Sequence, residues 1–132
     1  MKFRCERDTL VEALGAASRA VASRGGALPV LSGVRVELTG DRLRLTGSDL
    51  ELTIEVELEV AGEADGVAVL PAKIASDLVR SLGDPRVELT VDGEEATITA
   101  GRFESSLRLL PADEFPRLSP RGLAAQGLRR RL

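Results

Sequence analysis

Leu52-Thr53-Ile54-Glu55-Val56-Glu57-Leu58-Glu59-Val60 alternates apolar and polar residues almost without interruption. A period of two is the signature of a half-buried strand, with the even-numbered residues turned to a core and the odd-numbered glutamates turned away. Upstream, Val34 to Leu38 and Leu43 to Leu45 repeat the pattern across Gly40-Asp41. Downstream, Val87 to Val91 and Ala96 to Ala100 repeat it across Asp92-Gly93. Both pairs read as hairpins closed at turns that favour positive φ. Phe103 to Leu109 adds a further strand, and Val67 to Leu70 precedes a helical stretch.

Two segments break the alternation. Leu10, Leu14, Ala17 and Val21 recur at helical spacing to about Ala22, with Asp8 as the expected N-cap. Ala72 to Leu82 follows Pro71 and precedes Gly83, with Ile74, Leu78 and Leu82 as the expected buried stripe. In order the chain reads strand, helix, three strands, and then the same again. This predicts an α+β fold, a duplicated β-α-β-β-β unit with two helices packed on one side of antiparallel sheets.

The 132 residues suffice for one domain with a genuine core. Three Phe and no Trp or Tyr make that core almost wholly aliphatic. Cys5, the single cysteine, has no internal disulfide partner and reads as a small hydrophobe on the strand face shared with Phe3. The sequence has no apolar run of membrane-spanning length and no apolar signal core at its start, so a cytoplasmic location is expected.

Absences narrow the chemistry. Without histidine there is no Ser-His-Asp triad, no Cys-His pair and no His-bearing zinc site. No GxxxxGK[ST] or GxGxxG occurs to cradle a nucleotide phosphate. Asp49 with Glu51, and Glu94 with Glu95, are carboxylate pairs at expected turns, where solvated acids are ordinary. The chain is expected to have no catalytic residues, no metal site and no cofactor, and not to be an enzyme.

The net charge of −3 is unevenly laid out. Four of the 18 basic residues, Arg121, Arg129, Arg130 and Arg131, fall in the last stretch, leaving 14 against 21 acidic residues elsewhere. Any nucleic-acid role must come from placement. Glu51, Glu55, Glu57 and Glu59 predict an acidic sheet face. Arg19 lies opposite the first helical stripe, and Lys73, Ser76 and Arg80 share one face of the second helix. With both helices on one side, that side is expected to be basic. The lack of Tyr and Trp disfavours stacking on single strands and leaves duplex backbone as the target.

Five segments in order, MKFRCERDTL at the start, LPVLSG at 28–33, LTGSDLE at 45–51, LPAKIASDLVRSL at 70–82 and LPADEFPRL at 110–118, resemble the N-terminal domain of the bacterial DNA polymerase III beta subunit, the sliding clamp, over residues 1–118. The resemblance implies the duplicated clamp-domain fold. It also implies a ring of three domains per chain and two chains joined head to tail, with helices lining the hole. Such a ring gives a polymerase processivity by encircling duplex DNA without reading its sequence. Matched to that pattern, Arg24, Lys73 and Arg80 are expected DNA contacts, joined by Arg19 from the helix geometry. The strand 103–109 is expected to be the subunit edge, with Phe103, Glu104, Ser105 and Leu107 at the interface.

Residues 119–132 do not match the family's interdomain linker and are expected to be an Arg-rich tail, disordered or outside the fold. The remaining clamp domains are absent from the chain, so it is expected to be a fragment or a clamp-derived product. Binding of DNA polymerase III and the clamp loader is expected only where those domains are present. Two alternatives accompany this reading. One is a module that docks on a full clamp subunit through the 103–109 edge and blocks ring closure. The other is a hydrolase using Asp49 and Glu51.

Overall fold

The computed structural model describes residues 1–21, 29–116 and 127–132, with the last segment described by its backbone except at Leu132. The elements run β1 (Lys2–Glu6), α1 (Arg7–Ser18), β2 (Gly33–Thr39), β3 (Arg42–Ser48), β4 (Thr53–Glu59), β5 (Ala61–Ala64), β6 (Gly66–Pro71), α2 (Ala72–Ser81), β7 (Arg86–Asp92), β8 (Glu95–Ala100), β9 (Phe103–Arg108) and β10 (Gly127–Arg131). Short 3₁₀ turns cover Pro29–Ser32 and Ala112–Glu114.

They form two five-stranded sheets, ordered β5-β1-β7-β8-β9 and β10-β4-β3-β2-β6. The expected hairpins are present, with Gly40 and Gly93 at positive φ in their turns. The duplication is visible as β1-α1-β2-β3-β4 followed by β6-α2-β7-β8-β9. Each half lends its first strand to the other half's sheet, since β1 pairs with β7 and β6 pairs with β2. This exchange welds the halves into one core. Phe3, Leu14, Leu38, Leu43, Leu45, Leu70, Leu89 and Ile98 are each buried to within 2% of complete.

Both helices pack against each other and cover the sheets from one side. Arg7 at the start of α1 donates to the carbonyl of Arg80 at the end of α2 (2.6 Å), so the helices run antiparallel. The buried faces of both helices are rich in small residues: Ala13, Ala16 and Ala17 from α1, and Ala72, Ala75 and Ser76 from α2. Small side chains let two helices approach closely, and this shifts the buried stripe of α2 from its expected place. Ile74 is 59% exposed, and Val79 holds the position in its stead. Ser76, expected on the solvent face with Lys73, is buried. Asp8 is not the cap of α1. The helix begins at Arg7, Glu6 is the N-cap with no side-chain hydrogen bond, and Asp8 sits in the first turn.

Two of the quoted motifs fold onto each other. Val30 and Leu31 form a small separate cluster with Val69 and Phe115, flanked by Leu110 and Ala112. The Leu110 amide donates to the carbonyl of Val69 (2.9 Å), bringing the chain after β9 back onto β6.

Two departures concern strands. The alternation that begins in β4 does not end a sheet. The chain turns at Val60 and continues as β5 in the other sheet, beside β1. Residues 127–131, expected to lie outside the fold, form β10, which pairs parallel to β4 with Gly127 level with Thr53 and Arg131 level with Glu57. One of the two sheets is therefore mixed.

Candidate nucleic-acid interface

The α1/α2 side carries three of the four cations that the sequence pointed to, Arg19, Lys73 and Arg80. Lys73 and Arg80 are exposed on α2 and border one shallow groove with Gly15 and Ser18 of α1, Val21 just beyond it, and Ile74 and Asp77. Lys73 has no ion-pair partner among the described residues. Arg80 lies 3.9 Å from Asp77, one turn back on the exposed surface, a distance at which a solvated pair holds neither side chain firmly. Arg19 follows the last residue of α1 as its C-cap and is exposed, next to the groove rather than in its lining. Arg24 lies outside the described residues. A cation that the sequence reading missed is Arg7, whose guanidinium meets the carbonyl end of α2 and so neutralises the negative end of that helix's dipole. That is a structural task, signalled in the sequence only by an arginine in the first turn of α1.

The glutamates on the reverse side, including those of β4, are answered in part by cations of the same sheets. Arg44 on β3 reaches across the ladders to two glutamates of β4 and to one of β2. It lies 2.9 Å from Glu57, 3.3 Å from Glu55 and 3.8 Å from Glu37. Arg35 lies 3.5 Å from Glu37. Burial works against the Arg44 charge, but the hydrogen bond to Glu57 and the nearby charges of Glu55, Glu57 and Glu37 outweigh it and raise its pKa. On the other sheet Lys2 and Arg4 interleave with Glu63 and Glu88 at 3.2–3.6 Å. The hydrogen bond to Glu88 and the charge of Glu63 raise the pKa of Lys2. Strand periodicity gives which way a residue points but not what stands opposite it on the next strand. That is why the acids were legible and their partners were not.

The edge strand β9 is paired on one side to β8, and its other side carries no strand among the described residues. Phe103 is 70% exposed at its start, Glu104 is exposed and Ser105 is half-buried. Leu107 does not share that surface: it is 6% exposed and packs in the main core.

Asp49 has a local role. Its Oδ1 accepts the amides of Glu51 (2.9 Å) and Leu52 (2.7 Å), and these bonds lower its pKa. With Ser48 Oγ accepting the Leu50 amide (3.1 Å), they hold the β3–β4 turn in which Leu50 takes φ +79°. A carboxylate engaged with two backbone amides is a turn-former, and nothing in this geometry arms it as a general base.

A two-sheet domain made from a repeated β-α-β-β-β unit, with its helices side by side and their cations outward, defines the class of clamp-like domains. Residues 1–119 match the family described as the DNA polymerase III beta subunit, N-terminal domain, and the chain belongs to that family. The beta sliding clamp of Streptomyces coelicolor is 35% identical over 118 residues, covering 89% of this chain and 31% of the relative. The beta sliding clamp of Bacillus subtilis is 35% identical over 127 residues, covering 89% and 33%. Among solved structures, the DNA polymerase sliding clamp from Bacillus subtilis superposes with a TM-score of 0.86 at 34% identity, covering 90% of this chain and 33% of that one. The chain thus spans about a third of the length of these relatives. Among the described residues, no helix is long and apolar enough to cross a membrane.

Proposed function

We propose that the chain serves as one domain of a DNA polymerase processivity factor, a cytoplasmic ring component that surrounds duplex DNA and holds it by weak, sequence-independent contacts. The observation that carries this reading is the exposed pair Lys73 and Arg80 beside the α1/α2 groove, on a molecule whose opposite face engages its cations in ion pairs with glutamates. Phosphate contacts of this kind position a protein on duplex without reading bases. Arg19 at the end of α1 extends the same surface, and Arg24, matched to the family pattern, is proposed as a further contact. The open edge of β9, with Phe103, Glu104 and Ser105, is the subunit joint, and the polymerase and clamp loader bind the assembled ring.

Four such cations in one copy give a salt slope of about −3.6 at most and feeble binding, so retention on DNA comes from closure rather than affinity. The test is duplex binding by the full chain as a function of salt. Lys73→Glu with Arg80→Glu is expected to flatten the slope by about 2, while Arg4→Glu on the reverse face leaves it unchanged. Equal effects from both sides would overturn the assignment of the helix face.

A second reading is favoured by the same β9 edge: a module that docks on a full clamp subunit and blocks its closure without touching DNA. A one-to-one complex with a full-length clamp that no longer retains circular DNA would select it.

A further inference from the structure

The β4 edge carries an observation that the clamp reading does not use. Glu55 lies on the strand that borders β10, yet it is only 6% exposed. A carboxylate is that buried only where something covers it and something charged answers it. Arg44 answers it from β3 at 3.3 Å, and β10 covers the edge.

The backbone of β10 follows β4 for five consecutive pairs, with Arg129 level with Glu55 and Arg131 level with Glu57. Beyond it, the Leu132 amide donates to the carbonyl of Glu57 (2.8 Å), and the Leu132 side chain packs against the main core. Parallel pairing is regular with a period of two, so the same register directs the amides of Leu128 and Arg130 toward β4. It likewise directs the amides of Glu55 and Glu57 toward β10.

We propose that β10 is a displaceable cap on the β4 edge, and that it keeps a second copy of this chain from pairing its own β9 there. Among the described residues, removing β10 leaves four sheet edges. β5 is four residues long, and β6 is bridged along its side by Leu110. The six residues of β9 and the seven of β4 are the long open pair, matched in length. Exposed edges of that kind invite strand addition, and β9 on β4 is a head-to-tail contact that propagates from copy to copy. The cap makes the β9 edge usable by a partner while denying the chain to itself. The choice of β9 as competitor rests on the subunit-joint reading above, whereas the cap rests on β10 alone.

Hydrogen exchange and sedimentation on the full chain separate the two. The Glu55 and Glu57 amides are expected to be protected and the chain monomeric. Arg130→Pro removes a ladder donor from β10 and is expected to lower protection at both amides by about tenfold or more. Protection at Val56, which pairs with Leu45 on β3, should persist and report an intact domain. The variant's weight-average mass is expected to at least double, by about the mass of one added copy. A second change, Ser106→Pro, is expected to restore the monomer. The Leu109 amide bonds to Glu94, so the alternate amide of Ser106 faces away from β8 and its loss spares the β8–β9 ladder.

Unprotected Glu55 and Glu57 amides in the unaltered chain would overturn the cap. A monomeric Arg130→Pro variant that has lost their protection would overturn its role in self-association. Association that survives Ser106→Pro would overturn β9 as the competing strand. None of these outcomes bears on the salt slope at Lys73 and Arg80, so the cap and the DNA face fail independently.

Discussion

Gly47 on β3 lies directly against the carbonyl of Ala17 near the end of α1, and a Cβ at this glycine would stand 2.0 Å from that oxygen. The second atom met would be the Ala17 carbonyl carbon at 2.9 Å, so the obstacle is backbone and not a side chain free to swing aside. α1 therefore rests on the sheet at a spot where the strand offers no side chain. That seating fixes the height of the helix pair, and with it the plane in which Arg19, Lys73 and Arg80 are presented.

Gly47→Ala is accordingly expected to destabilise the domain by about 2–3 kcal/mol, the upper range for forcing one methyl group into a packed site. Denaturant unfolding followed by circular dichroism measures it. A change below about 0.5 kcal/mol, the size of an ordinary surface substitution, would show that α1 is not seated on this contact.

The β3–β4 turn stores strain at one residue. Leu50 takes φ +79° while 57% exposed, so it has little packing to set against an unfavourable backbone. Leu50→Gly is expected to stabilise the chain by about 0.5–1 kcal/mol, the relief of left-handed strain less the extra freedom of glycine in the unfolded chain. A thermal melt checks the sign. Asp49→Ala should act in the opposite direction, since it leaves the Glu51 and Leu52 amides without their acceptor. The lowered Asp49 pKa gives that contribution a pH signature. It is present above the ordinary carboxylate value of 3.8 and fades as pH falls through the lower folded-state value.

These cases show which parts of the molecule a linear sequence carries. Strands such as β2, β4 and β7 were legible because alternation records burial directly. The close pairing of the helices was not, because Ala72, Ala75 and Ser76 score as weakly apolar or polar while Ile74 scores as strongly apolar. Only the approach of α1 makes the small residues the buried ones. β5 escaped notice because Ala61-Gly62-Glu63-Ala64 has no apolar rhythm; it is held by β1 and by the turn at Val60. β10 escaped because three consecutive arginines carry no apolar alternation, and the backbone register with β4 is a long-range pairing that no local pattern records. At the candidate site, Lys73 and Arg80 were readable from helical phase. The inward placement of Leu107 was equally readable from strand phase, which sets it on the core side of β9.

Cys5 supplies a chemical probe of the sheet that holds β1. Burial, aided by the charge of Glu6, pushes its thiol pKa from the ordinary 9.0 up to about 12. At pH 8 the thiolate fraction falls roughly a thousandfold relative to an unshifted thiol, and labelling by a disulfide reagent should slow by about that factor. The sign for stability follows from which state holds the proton. The folded chain keeps it to higher pH than the unfolded chain, so this contribution is intact below about 9 and is lost as pH climbs toward 12. Labelling of the native chain at pH 8 as fast as that of the unfolded chain would refute the half-buried placement of Cys5 beside Val87 of β7.

Arg44 is the cation that answers the largest group of acids on the reverse face. Its guanidinium meets Glu37, Glu55 and Glu57 within 3.8 Å, and the first consequence of removing it is three carboxylates facing one another across β2, β3 and β4. Arg44→Leu keeps the aliphatic stem and discards the charge, so any loss reports electrostatics rather than packing. Breaking a fully buried pair costs about 3–5 kcal/mol, and an exposed one below 1. Arg44 is 39% exposed but Glu55 only 7%, which places the expected destabilisation between those limits, at about 2 kcal/mol. High salt should recover part of it by screening the repulsion that remains. Glu55→Gln in the Arg44→Leu background tests the cause directly, because it removes the most buried of the three negative charges while keeping a polar group of the same shape. Partial rescue is expected in an unfolding experiment. A double variant no more stable than Arg44→Leu alone would mean that the face is held by the length of the Arg44 side chain and not by its charge.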